Sequence, residues 1–195
     1  MKKLFLILLF TLLPFTIFAG PFGLKMGITL EDIKQVCEEG PEFYKDDIYY
    51  IKPVKNHPLF VVYLVYVHEQ KGLYKIQAAS SPILSNQFGT ELKESFNEVK
   101  DRIAKTYGSP EVCDKYNKSA NRLYSDAEDW FYALGKGYRS LYATWGEFDD
   151  LPDNIESIKL DCKVYTGVYN EEGVLILNYC FTNAKNVEDE QDEVF

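Results

Sequence analysis

The chain has 195 residues, 46% of them hydrophobic, with 30 acidic against 21 basic side chains and a net charge of −9. That length allows one domain with a substantial core, and so negative a surface repels phosphate backbones, which argues against nucleic acid as a partner. There is no H-E-x-x-H, no G-x-S-x-G and no phosphate-cradling glycine loop, so no cofactor is expected.

Lys2 and Lys3 precede an apolar run from Leu4 to Phe18, followed by Ala19-Gly20, the three-part layout of a secretory signal peptide. The run falls short of the roughly 20 residues that a membrane-spanning helix needs. Residues 1–19 are therefore expected to be removed, leaving a periplasmic or secreted protein with no stable membrane insertion. No cysteine lies near the cut to carry a lipid. Loss of the two lysines takes the net charge from −9 to −11.

The first folded element is predicted within Phe22–Pro41. Thr29 stands at a helix N-cap with Asp32 three residues on, and Ile28 and Ile33 flank them as a hydrophobic staple. Leu30, Ile33 and Cys37 share a face, and Gly40-Pro41 reads as the stop. A short strand, Ile48–Ile51, closes at Pro53. Leu59–His68 is apolar on both alternating faces and is predicted as a central strand covered on both sides. Glu69–Gly72 makes a hairpin turn, and Leu73–Ala79 returns antiparallel.

A second helix is predicted from Thr90 to Tyr107, where Leu92, Phe96, Val99, Ile103 and Tyr107 recur at spacings of three and four. Ser125 and Glu128 read as a capping box for a short third helix carrying Trp130, Phe131 and Leu134. Three strands follow: Arg139–Trp145, Ile155–Tyr165 and Val174–Asn183. In the middle one, Ile158, Leu160, Cys162 and Val164 point inward and Lys159, Asp161 and Lys163 outward.

The expected fold class is thus α+β, an antiparallel sheet covered by helices, in a single domain over residues 20–186. A helix-plus-three-strand unit is written twice, over 22–82 and 88–183, and an acidic tail occupies 187–195.

The segment Gly27-Ile28-Thr29-Leu30-Glu31-Asp32-Ile33, with Gly40-Pro41 ahead of a tyrosine-rich strand, resembles the helix start and following hairpin of two secreted α+β families. These are the outer-membrane assembly lipoproteins of the SmpA/OmlA type and the β-lactamase-inhibitor-protein-like domains. The mature chain is also similar to a set of uncharacterised bacterial envelope proteins sharing FGLKMG, the Gly72-Leu73 turn and Phe88-Gly89 ahead of the second helix. The resemblance implies a secreted α+β fold with a role in the cell envelope. The chain departs from the first family in lacking a lipid-attachment cysteine, and no loop matches an inhibitory contact of the second.

Candidate functional residues are few. Cys37, Cys113, Cys162 and Cys180 meet an oxidising compartment and are disulfide candidates, with three pairings open. There is no C-x-x-C pair and neither histidine lies near a cysteine in sequence, so metal ligation is not expected. Strand parity argues against a direct Cys162–Cys180 bond: the odd-numbered Leu175, Leu177, Tyr179 and Phe181 form the bulkier set, which turns Cys180 away from the core that Cys162 faces. His57 and His68 read as structural. Glu147, Asp149, Asp150, Asp153 and Asn154 make an acidic loop without EF-hand spacing.

The 15 tyrosines and 13 phenylalanines suit strands. Tyr63, Tyr132, Tyr138 and Tyr142 are the candidates for a binding face. Together these readings point to a non-enzymatic protein that binds an envelope protein or component. The alternative is a small secreted hydrolase whose carboxylates are assembled by the fold.

Overall fold

A computed structural model describes residues 20–117, 124–147, 150–164, 172–185 and 187. They form one antiparallel sheet of nine strands with a few helices, an α+β architecture. In chain order the elements are α1 (Leu30–Gln35), β1 (Cys37–Lys45), β2 (Ile48–Pro53), β3 (Phe60–His68), β4 (Gly72–Ser80), β5 (Ile83–Leu84), α2 (Thr90–Tyr107), β6 (Glu111–Tyr116), α3 (Trp130–Gly135), β7 (Arg139–Trp145), β8 (Ile155–Val164) and β9 (Glu172–Phe181). Short 3-10 turns occupy Pro21–Gly23 and Ala127–Asp129. The sheet order is β1-β2-β3-β4-β9-β8-β7-β6, with β5 pairing β9 off this path.

The start of α1 forms as its sequence dictates. The Asp32 N–H donates to Thr29 Oγ1 and the Thr29 N–H to Asp32 Oδ2, each at 3.2 Å, which satisfies two donors that a helix start otherwise leaves unpaired. Its end does not. The helix stops at Gln35, and Gly40-Pro41, joined by a cis peptide, lies inside β1. Pairing with β2 wins over helix propagation from Cys37 onward, with Cys37 opposite Pro53 and Glu39 opposite Lys52. Lys52 holds both Glu38 and Glu39, at 3.0 and 3.2 Å. The proline is tolerated because β1 is an edge strand whose register shifts between Glu39 and Glu42.

The predicted α2 appears with its expected bounds, and Leu92, Phe96, Val99 and Ile103 are its buried face. The third helix differs. Asp126, not Ser125, is the N-cap of a 3-10 turn that leads into α3, and no side-chain capping bond forms there. β6 has no apolar alternation to announce it; it is a strand because it pairs with β7 from Glu111–Thr144 to Tyr116–Arg139.

Burial alternates along the inner strands and defines the two faces of the sheet. Tyr63, Val65, Ile76, Ala78, Leu160, Leu175, Leu177 and Tyr179 point inward with Leu24, Ile33, Phe96, Trp130 and Phe131 into one core. Phe22, in the 3-10 turn at the start of the described chain, sets its ring edge-on to Tyr63 and Tyr179, at 5.0 and 6.0 Å between centroids. Val187 is buried as well. β3 corrects the expectation of a strand covered on both sides. It is central, between β2 and β4, yet Leu64 and Tyr66 on its other face are only half-buried, and Val62 is exposed. Among the described residues the helices occupy one face of the sheet and none covers the other, which is called the open face below.

Candidate functional site

The open face is a continuous surface built by strand register. One row crosses eight strands as Glu42, Tyr50, Leu64, Gln77, Asn178, Lys159, Thr144 and Glu111. At its centre the Gln77 amide donates to Asn178 Oδ1 at 2.8 Å, tying β4 to β9. A neighbouring row runs Ile48, Tyr66, Lys75, Cys180 and Ser157, and another Ala79, Ile176, Asp161, Tyr142 and Cys113.

Charge on this face is held in place. Asp161, a residue only 8% exposed, pairs its carboxylate with Lys159 at 3.2 Å and Lys163 at 3.0 Å, its neighbours two positions away on the same side of β8. Lys159 Nζ lies 4.9 Å from the Tyr142 ring centroid, and Lys75 Nζ 4.7 Å from that of Tyr66. Such contacts hold a cation over an aromatic face that would otherwise present bare hydrocarbon. A hydrogen bond shared with the Cys113 thiol raises the Tyr142 hydroxyl pKa above its ordinary value. Glu111, Cys113, Lys115, Tyr142, Glu147 and Lys159 border a shallow hollow of about 390 Å³ at the β6 end.

The four candidate tyrosines do not converge. Tyr142 belongs to the open face. Tyr63 is a core residue: its hydroxyl accepts from the His57 N–H at 3.0 Å, and its ring is buried. Tyr132 and Tyr138 lie at α3 and join Tyr124, with ring centroids 4.7 and 5.9 Å from it; Tyr138 stacks on Tyr124 at an interplanar angle of 22°. A hydrogen bond with Tyr132 raises the Tyr124 hydroxyl pKa.

Sequence reasoning missed Tyr50, Leu64, Tyr66 and Ile176 as members of the open face. The double apolar alternation of β3 was the available signal, since a strand apolar on both sides needs two covers and the chain has few helices.

All four cysteines are free thiols, so the disulfides the sequence allows are not formed. They stand on different strands at unmatched register positions: Cys37 opposite Pro53, Cys113 opposite Tyr142, Cys162 opposite Leu175 and Cys180 opposite Lys75 and Ser157. Cys162 lies in the core and Cys180 on the open face, as parity requires; burial drives the Cys162 thiol far above its usual pKa.

Both histidines organise turns. His57 Nδ1 accepts the Leu59 N–H, and His68 Nδ1 accepts those of Gln70 and Lys71. A hollow of about 420 Å³ beside β1–β3 gathers Glu39, Glu42 and His57, but Glu39 is tied to Lys52. Asp149 of the acidic loop lies outside the described residues. Among the described residues no three His, Cys, Asp or Glu side chains are grouped to hold a metal ion.

No protein-family model, curated protein sequence or solved structure matches the chain.

Proposed function

We propose that this is a non-enzymatic binding protein of the bacterial cell envelope, periplasmic or secreted, that engages an envelope protein or component through the open face of its sheet. The observation that carries this reading is the face itself: eight strands wide, uncovered by any helix among the described residues, and populated by half-buried Leu64, Tyr66, Ile176 and Tyr142 with the more exposed Tyr50. Aromatic side chains offer large contact area at low entropic cost, and the surrounding cation–ring pairs supply a polar surround.

The location rests on the signal-peptide layout of residues 1–19 and on the resemblance at Gly27–Ile33. The sheet order adds support to the fold-family reading, because each helix-led half contributes a four-strand meander, β1–β4 and β6–β9. On this reading the repeated unit is helix plus four strands, β-lactamase-inhibitor-protein-like, with β1 and β6 the strands that the sequence hid.

Affinity capture from envelope extract tests the proposal when wild type is compared with Tyr50→Glu/Tyr66→Glu on the sheet face and Tyr132→Glu at α3. The expected result is a partner retained by wild type and Tyr132→Glu and lost by the sheet-face variant. Loss only with Tyr132→Glu would move the site to the Tyr124–Tyr132–Tyr138 cluster and overturn the proposal.

A further inference from the structure

Among the described residues the eight-strand path of the sheet ends in β1 and β6, and these two edges are built differently. β1 is irregular, with register shifts at three places, and carries Glu38, Glu39 and Glu42. Bulges and like charge are ordinary defences against edge pairing. β6 has neither. Its six residues pair with β7 without a register shift, Glu111, Val112, Asp114 and Lys115 are exposed, and among the described residues no strand lies beyond it.

We propose that β6 is a self-association edge: two copies pair antiparallel through Glu111–Lys115 about a two-fold axis at Cys113, joining their sheets into one. Backbone parity makes this register feasible. The Asn117 N–H donates to Tyr138 O at 2.7 Å, so Asn117, and by alternation Lys115, Cys113 and Glu111, direct their backbone groups at β7. Val112 and Asp114 direct theirs at the free edge. With the axis at Cys113, Val112 of one copy meets Asp114 of the other as a hydrogen-bonded pair, twice over. Cys113 meets Cys113 as a non-hydrogen-bonded pair, the closer kind, with Cα atoms about 4.5 Å apart.

Charge selects this register over its neighbours. An axis perpendicular to the sheet keeps each face on its own side, so only pairings of like parity are allowed. Centred on Cys113, each Glu111 lies opposite the Lys115 of the other copy, on the face that also carries Tyr142. Centred on Asp114, the two aspartates would oppose each other; centred on Val112, Lys115 would run past the strand. Opposite charges directly across a strand pair stabilise it and like charges destabilise it. This inference is independent of the proposed docking face, since it concerns the edge and uses none of the residues varied in the capture experiment.

Sedimentation equilibrium on the purified protein over a concentration series tests it, with Glu111→Lys, Lys115→Glu and the double exchange. A reversible dimer is expected. Each single reversal should weaken it at least about tenfold, and the double exchange should restore it to within about threefold. Oxidised glutathione should capture the same pairing. Two Cys113 thiols and one glutathione disulfide give one intersubunit disulfide and two reduced glutathiones; that bond is within reach because its Cα separation spans about 4.4–6.8 Å. Cys113→Ser should remain a reversible dimer that cannot be captured. A protein that stays monomeric throughout overturns the proposal, as does a dimer indifferent to both single reversals.

Discussion

Two side chains near the start of the chain show how a single atom's partner sets stability. Thr29 closes the α1 capping box through Oγ1, and the cap is worth on the order of 1 kcal/mol even at an exposed position. Thr29→Ala should lose that amount in chemical denaturation while Thr29→Ser, which keeps the acceptor, should match wild type. His57 works through its unprotonated nitrogen. Burial lowers its pKa, the nearby Arg102 guanidinium lowers it further against a weaker opposing effect of Glu98, and Nδ1 is already accepting the Leu59 N–H. The unfolded imidazole, with its pKa of about 6.5, therefore takes up a proton that the folded one resists. Stability should fall as pH drops below about 6.5 and stop falling once the lowered folded pKa is passed. His57→Gln should flatten that slope between pH 7 and 5, a range read by thermal melts in matched buffers.

The contact between α2 and α3 depends on one backbone position. Gly89 caps α2 in a left-handed conformation, φ 70°, and a Cβ there would lie 2.1 Å from the Trp130 ring. Gly137 has φ 71° with nothing within 4 Å of the same added atom. Alanine at Gly137 should cost only the backbone penalty of about 1–2 kcal/mol. Alanine at Gly89 should cost that and about 1–3 kcal/mol more for pushing the indole aside, with a change in tryptophan fluorescence that the Gly137 variant lacks. Equal melting temperatures for the two would disprove the contact. The elements differ in how plainly they were written. The period of Leu92, Phe96, Val99 and Ile103 announced α2, and Ile158, Leu160 and Cys162 announced β8, because each buries one regular face. β1 was hidden by Gly40-Pro41, whose ordinary meaning as a stop yields at a bulged edge. β6 was hidden because an edge strand exposed on both sides keeps no apolar alternation. The candidate site suffered likewise. Alternation puts Tyr63 and Tyr66 on opposite faces of β3, but with both faces apolar only the partners, Ala78 beside Tyr63 and Lys75 beside Tyr66, show which face is the core.

At the scale of the molecule, the two meanders are joined through β9, which lies between β4 and β8 and also takes β5. Leu177, 2% exposed, stands at that seam with Ala78 on one side and Leu160 on the other. Leu177→Ala should cost about 2–5 kcal/mol and leave unfolding as a single transition. Trp130 and Trp145 both report on the second half of the chain, whereas far-ultraviolet circular dichroism reports on all strands. The two signals should therefore coincide in wild type and variant alike, and a dichroism transition unmatched by fluorescence would show that the halves unfold separately. The same seam has a consequence in time. A chain is made from its N-terminus, so β1–β4 leave the ribosome well before β9, and β4 must wait with one side unpaired while about a hundred residues follow. Non-local pairing of this kind closes late. Until Phe181 has emerged, the sheet has no middle, and β4 keeps one row of backbone groups without the β9 partner they have in the finished fold.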